Sequence, residues 1–477
     1  MSDTLQRGNR FVSPVRALAD QAFSRAAGAA LTGGNRVRLL RDARENYPAW
    51  LEAIAAARHR VHFENYIFRD DTTGEIFADA LIAAARSGVR VRLIYDWLGG
   101  FGKTSKSFWN QLRDGGVDIR CYNPPSLDAP FGWFSRDHRK LVVVDGEVGF
   151  ITGLCIGRMW TGQPERKIEP WRDTGIEVRG PAVAEIERAF GQVWSMMGRS
   201  LPDEEVTASS APFEPGGVNM RIVATFPSTA GMFRVDQLVA ALARQRVWLT
   251  DAYFAGTTTY VQALNAAARD GVDVRLLVPG STDIPIVRSL TRAGYRSLLE
   301  AGVRVFEWNG AMLHAKTAVA DGRWARVGST NLNLSSWLGN CELDAVIEDE
   351  PFACEMEAMY LDDLTNSTEI VLTAKRKLRV PRHPAEHPRG GRRGTGSASR
   401  AAAGALRMGN AIGAAFSNRR AMEPVEARLM MTAGFLLLAL AALFAFFPRA
   451  FAYPAVLFFT WIALALLVRG YKLRRRR

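Results

Sequence analysis

The sequence predicts an α/β protein made of two duplicated halves related by pseudo-twofold symmetry, with a C-terminal transmembrane helical hairpin appended. Three observations carry this reading. Two stretches, 58–96 and 244–279, repeat one strand–helix–strand pattern. A short His/Lys/Asp motif recurs once in each half. Two apolar runs, 429–447 and 450–468, close the chain, each 19 residues long without an acidic residue or lysine.

The elements follow in order. Residues 1–34 form an N-terminal segment in which Arg16, Asp20 and Arg25 interrupt any apolar core of a secretory signal. Phe11, Val15, Leu18, Ala22 and Ala26 fall at helical spacing, so an amphipathic helix is expected, resting on a membrane surface or on the body. The first half, 35–210, contains RHRVHFENYIF (58–68), the Ala-rich FADALIAAARSG (77–88) and GVRVRLIYD (88–96). The second half, 211–372, matches it with RQRVWLTDAYF (244–254), YVQALNAAARDG (260–271) and GVDVRLLVP (271–279). The apolar second strand of each unit, 88–96 and 271–279, is expected to be buried on both faces, as in a parallel sheet. Residues 373–428, rich in Pro, Gly, Ala and Arg, read as a basic flexible linker. In 429–477 each apolar run is long enough to cross about 30 Å of hydrocarbon, and arginines flank the pair on both sides. By the positive-inside bias both flanks are cytoplasmic, which places the body on the cytoplasmic side of a bacterial inner membrane.

Charge separates the two parts of the chain. The 477 residues carry a net +13, which on its face suits nucleic acid or anionic membrane. Residues 373–428 hold 13 Lys/Arg against 3 Asp/Glu, and the remainder adds seven cations and no acid. The tail therefore carries +17 and residues 1–372 carry −4. A mildly acidic body argues against nucleic acid as partner, because backbone binding relies on basic surface. The expected partner is an anionic membrane; no protein partner is evident. Four cysteines without a CxxC pair exclude a disulfide framework and a structural zinc site, and no carboxylate-rich cluster asks for a metal.

The motif carries the chemistry. HRKLVVVDG supplies His138, Lys140 and Asp145; HAKTAVADG supplies His314, Lys316 and Asp321. One HxKxxxxD is a weak signal, but two in register, using two of only six histidines, point to one shared site. Positions i and i+2 of a strand share a face, so each His lies beside its Lys. Two imidazoles and two ammonium groups suit displacement at a phosphodiester: lysines neutralise the non-bridging oxygens, one His attacks phosphorus, the other moves the proton. Each His needs a carboxylate to fix its tautomer, and Asp173 and Glu342 are the candidates. Asp145 and Asp321 precede glycine at a turn and are expected to brace the site rather than transfer protons. No cofactor or metal is required.

With RDHRKLVVVDG (136–146), WRDTGIEVRGPAV (171–183), LHAKTAVADG (313–322) and VGSTNLNLSSWLGNCE (327–342), the chain resembles the phospholipase D superfamily. ENYIFRDDTTG (64–74) and the flanking segments narrow this to bacterial cardiolipin synthases of the phospholipase D type. The resemblance covers about Asn35 to Asp349. It implies two phospholipase D-like α/β/α sandwich halves and a phosphatidyltransferase that joins two phosphatidylglycerol molecules and releases glycerol. It further implies that His138 is the nucleophile of a phosphohistidine intermediate and His314 the general acid and then base. Lys140, Lys316 and Asn331 would bind phosphate with Ser329 nearby, and Asp173 and Glu342 would orient His138 and His314. Two departures stand out. Thr152-Gly153-Leu154-Cys155 replaces a Gly-Gly-x-Asn pattern, so either Thr152 compensates for the missing amide or the cradle is lopsided, and Cys155 reads as a small apolar residue under the site. Asn333, Ser335 and Ser336 replace an Asp and Arg-Ser after Asn331. A hydrolase releasing phosphatidic acid and a nuclease are the competing outcomes of the same chemistry. A scaffold with relict motifs is disfavoured by the presence of both His/Lys pairs.

Overall fold

A computed structural model describes residues 14–125, 135–206, 217–283, 285–372, 378–379 and 456–464, with scattered positions elsewhere between 435 and 467. The first half contributes seven strands: β1 (Thr32–Arg41), β2 (Arg60–Asn65), β3 (Arg90–Asp96), β4 (Asp118–Tyr122), β5 (Lys140–Val144), β6 (Val148–Thr152) and β7 (Thr174–Arg179). The second contributes β8 (Val218–Thr225), β9 (Arg246–Thr250), β10 (Asp273–Pro279), β11 (Arg304–Trp308), β12 (Thr317–Ala320), β13 (Trp324–Gly328) and β14 (Glu342–Glu348), and then β15 (Ser367–Leu372) and β16 (Leu378–Arg379) at the edge. All sixteen join one sheet in the order β16-β15-β11-β10-β9-β12-β13-β14-β8-β1-β7-β6-β5-β2-β3-β4. Read outward from the antiparallel β1/β8 pair, the two sides run through corresponding strands in the same sequence, which is the pseudo-twofold expected from the repeat.

The sheet is mixed, and the two apolar strands expected to have parallel neighbours, β3 and β10, have them on both sides. Only β2–β3–β4 and β9–β10–β11 run parallel; the pairs carrying the motifs are antiparallel. The burial on both faces nevertheless holds. In β5, Leu141 and Val143 enter a central core shared by both halves, while Val142 and Val144 enter the outer core of the first half. In β14, Leu343, Ala345 and Ile347 face the shared core and Val346 the outer core of the second half. The helix Ala182–Met196 covers the shared core with Val183, Ile186, Phe190 and Val193, and Glu350–Thr365 does so with Phe352, Met356 and Tyr360. An apolar run is required here because two layers of helix leave neither face to water.

The helix Pro14–Ala27 packs on the body. Phe23, Ala26 and Ala27 lie against the outer core of the second half, and Arg234 Nε donates to the Ala26 carbonyl at 3.0 Å. Half of the residues of the two apolar runs, most of them in the first, lie outside the described residues, as do 373–377 and 380–428 of the linker. Among the described residues no helix is long and apolar enough to cross a membrane.

Candidate active site

Each motif histidine sits on a short extended segment just before a central strand. The His138 N–H donates to the Cys341 carbonyl at 2.9 Å, and the His314 N–H donates to the Arg172 carbonyl at 2.7 Å. Both bonds cross between halves: the segment leading into β5 runs beside the start of β14, and the segment leading into β12 runs beside the start of β7. The side chains cross the same way. His138 Nδ1 lies 2.9 Å from Glu342 Oε2, and His314 Nδ1 lies 2.7 Å from Asp173 Oδ2. Glu342 thus serves His138 and Asp173 serves His314, the reverse of the pairing implied by the resemblance. The physical reason is the backbone register, because each carboxylate begins the strand that the other half's histidine lies against.

Each carboxylate is itself held. Glu342 Oε2 accepts from Ser329 Oγ at 2.6 Å and Oε1 from Asn340 Nδ2 at 3.2 Å. Asp173 Oδ2 accepts from Trp160 Nε1 at 3.1 Å and Oδ1 from the Thr174 N–H at 2.9 Å. Ser329 and Gly153 occupy corresponding places after β13 and β6, and their difference has a cause. A Cβ added at Gly153 would come within 2.1 Å of Asp173 Oδ1, so the shorter carboxylate occupies the space a side chain would need. Ser329 is therefore a support for Glu342.

Lys140 Nζ donates to its own motif's His138 carbonyl and Lys316 Nζ to that of His314, so each ammonium is folded against its histidine. Tyr66 and Tyr253 complete the symmetry. The Tyr66 ring lies edge-on to His138 at 5.0 Å, and Lys140 Nζ is 5.3 Å from its centre. The Tyr253 ring lies edge-on to His314 at 5.9 Å, with Lys316 Nζ also at 5.9 Å. Neither tyrosine was singled out by the motif, and they are one position out of register in the repeat, where Tyr66 matches Ala252 and Tyr253 matches Ile67. Among the described residues Trp160 and Trp171 have no counterpart beside His138; their rings each lie 5.6 Å from His314.

Burial dominates the electrostatics. It pushes both imidazoles below the usual histidine range, His314 to about 3, helped by the lysine charges. Lys316 acts on His138 and Lys140 on His314, so the two motifs share one electrostatic site. Burial also pushes the Lys316 ammonium down to about 8. Despite their own burial, Asp173 and Glu342 are held below the carboxylate range by the histidines facing them. The resting site is therefore two neutral imidazoles, two ionised carboxylates and two cations. Asn331, two residues after Ser329, is buried, and its Oδ1 has no hydrogen-bond partner among the described residues.

Other expectations resolve as follows. Asp145 and Asp321, grouped with the catalytic set, do not join it. They sit at the far ends of β5 and β12 with φ of 54° and 51°, and each carboxylate accepts three backbone N–H groups. Those of Asp145 are Arg58, His59 and Arg60 at 2.8 Å, so its role is to pin the start of β2. Thr152 does not compensate for Cys155: its Oγ1 is used locally, toward the Thr174 carbonyl at 3.3 Å and the Leu154 N–H at 3.1 Å. Cys155 is buried in the outer core of the first half, so the cradle is lopsided. Asn333 caps the short helix Leu334–Leu338 and donates to the Tyr253 carbonyl at 3.0 Å, which makes it a support for that tyrosine. Among the described residues no group of His, Cys, Asp and Glu is arranged to hold a metal.

With this geometry in hand, the comparisons with known proteins agree. A family model described as "Cardiolipin synthase, PLD-like domain" matches residues 50–194 and 239–364. The cardiolipin synthase of Alkalihalophilus pseudofirmus is 34% identical over 342 residues, covering 70% of this chain and 67% of the relative. Cardiolipin synthase A of Pseudomonas aeruginosa is 35% identical over 350 residues, covering 72% and 70%. Among solved structures, the phosphatidylserine synthase of Haemophilus influenzae superposes with a TM-score of 0.59 over 73% of this chain and 91% of that one. At 14% identity that likeness shows the fold alone.

Proposed function

The chain belongs to the phospholipase D-like cardiolipin synthase family, enzymes of the phospholipase D phosphatidyltransferase type, and from that premise we propose that it makes cardiolipin from two phosphatidylglycerol molecules with release of glycerol. The observation that supports this best is the doubled, crosswise unit: two imidazoles, each with Nδ1 held by a buried carboxylate and each beside a lysine. In the proposed sequence, His138 Nε2 attacks phosphorus and the bond to the departing glycerol oxygen breaks. His314, carrying a proton, delivers it to that oxygen. A hydroxyl of the second phosphatidylglycerol then attacks the phosphohistidine, His314 takes its proton, and the P–N bond breaks to free His138. Lys140, Lys316 and Asn331 would hold the phosphate oxygens. The basic linker and apolar hairpin would keep the body on the cytoplasmic face of the inner membrane, close to anionic lipid.

Purified protein given phosphatidylglycerol vesicles without a nucleotide-activated lipid is expected to form cardiolipin and glycerol in equal amounts, read by mass spectrometry of the extract. Phosphatidic acid as sole product would replace transfer with hydrolysis.

The empty site is held neutral at its histidines by burial and by two cations, whereas the first step needs His314 protonated. An arriving phosphodiester anion offsets the lysine charges and so raises both imidazole pKa values toward neutrality. The sign follows: binding at pH 7 takes up protons. Titration calorimetry with a non-cleavable phosphodiester analogue, repeated in buffers of different ionisation enthalpy, is expected to show net uptake. Proton release on binding would contradict the scheme.

A further inference from the structure

Two short segments rise from the strand ends that carry the site, and each presents an exposed apolar side chain. The first is the turn after β3. The buried Asp96 carboxylate accepts the N–H groups of Leu98 and Gly99 at 2.8 and 3.0 Å and folds residues 97–100 into one helical turn. That turn lies directly on Tyr66, the ring beside His138: a Cβ added at Gly99 would sit 1.8 Å from the Tyr66 carbonyl oxygen. It delivers Phe101 to the surface, 64% exposed, with its ring 4.9 Å from that of Trp97. The second segment is the hairpin closed by Gln163 and Ile168, whose backbones exchange hydrogen bonds of 2.8 and 3.0 Å. Trp160 and Trp171, on either side of this hairpin in the chain, are the two rings that line His314. Ile168 is 44% exposed, and Arg166 and Lys167 at the tip are exposed beside it, together with Glu165 and Glu169. The tip is therefore polar but carries no net charge, and the basic attraction comes from the tail.

Single exposed apolar residues are ordinary on a protein surface. Here one flanks each catalytic histidine, on the segments that line the site. We propose that Phe101 and Ile168, with Trp97 behind and Arg166 and Lys167 alongside, form a docking rim that seats the mouth of the site in an anionic lipid bilayer. The inference rests on the lipid reading above and adds the face that meets the lipid. The occupant follows from the rest of the chain. Beyond Arg379 come two 19-residue apolar runs and a strong excess of basic residues, which match a bilayer bearing negative headgroups. Residues 380–428 separate the body from the first run, so this tether alone does not choose which face turns to the lipid. The scissile phosphodiester lies at headgroup depth, while both imidazoles are nearly buried, so the site mouth must be pressed against the surface. Apolar side chains entering the headgroup–acyl boundary supply that orientation.

The test uses the full-length protein in phosphatidylglycerol vesicles. Phe101→Cys and Ile168→Cys, each combined with Cys354→Ser, are labelled with an environment-sensitive fluorophore; the native Cys354, exposed on the helix Glu350–Thr365, is labelled in the unaltered protein as the reference. Labels at 101 and 168 are expected to be shielded from an aqueous quencher at least fivefold better than the label at 354. Equal quenching at all three positions overturns the proposal. Shielding at 101 and 168 in detergent solution that requires a second copy of the chain also overturns it, since protein then covers the rim. Because both side chains are exposed, Phe101→Ser/Ile168→Ser is expected to fold; its turnover should fall about tenfold or more on vesicles and stay unchanged on monomeric short-chain phosphatidylglycerol. An equal loss on both substrates counts against docking. If the labels at 101 and 168 are shielded but the unaltered protein forms no cardiolipin, the surface stands and the transferase reading fails.

Discussion

His138→Ala is expected to remove turnover altogether, by a factor on the order of 10^6, because no second group can form the bond to phosphorus. His314→Ala is expected to cost about 10^2- to 10^4-fold, the usual range for a lost general acid or base. The two variants then separate on a substrate with an activated leaving group such as a p-nitrophenyl phosphodiester. That leaving group needs no proton, so His314→Ala should still release a burst of nitrophenolate and accumulate the phosphohistidine, while His138→Ala releases none. Acid-labile phosphate on His138, detected by mass spectrometry of the trapped protein, checks the assignment directly. A burst from His138→Ala and none from His314→Ala would exchange the two roles.

The carboxylates should follow the histidine of the opposite half. Glu342→Gln is expected to slow formation of the covalent intermediate, since it removes the charge that orients His138 and stabilises the cation formed there. Asp173→Asn is expected to slow the proton-dependent steps and to spare the burst with the activated substrate. Each change should cost about 10^2- to 10^4-fold in kcat, by analogy with loss of the orienting carboxylate in other His-dependent enzymes. Neither residue contacts the reacting atoms, so pre-steady-state kinetics and the pH profile carry the distinction. The profile should shift with the histidine partner. If Glu342→Gln behaves like His314→Ala, the crosswise geometry does not govern catalysis.

The doubled HxK spacing was readable because it is local: two residues apart on an extended segment fixes a His beside its Lys whatever the rest of the fold does. Asp173 and Glu342 were also readable as candidates, since each opens an alternating strand. Their partners were not, because the pairing depends on which strands meet across the pseudo-twofold, and nothing in a nearly symmetric sequence distinguishes the near histidine from the far one. Apolarity in β3 and β10 signalled their parallel neighbours, but β5 and β14, equally apolar on both faces, are antiparallel, so the pattern alone does not fix strand direction. Tyr66 and Tyr253 were passed over, because they are one position out of register in the repeat and aromatic residues at strand ends read as core. Asp145 and Asp321 were over-read. Their positive φ and turn position suit an Asp that satisfies backbone N–H groups, and a fixed spacing in a motif conveys structure as readily as chemistry.

The exchange of carboxylates between halves bears on how such a molecule can change over time. A duplicated enzyme whose halves were each self-sufficient could lose one copy and keep a working site. Here each half holds one imidazole and the acid that orients the other half's imidazole. Cut between residues 206 and 217, the chain would yield two fragments, each with an unsupported histidine, and activity would return only on reassembly. Deleting one half leaves the remaining imidazole without the acid that orients it, and a change in either half is judged by the chemistry of both.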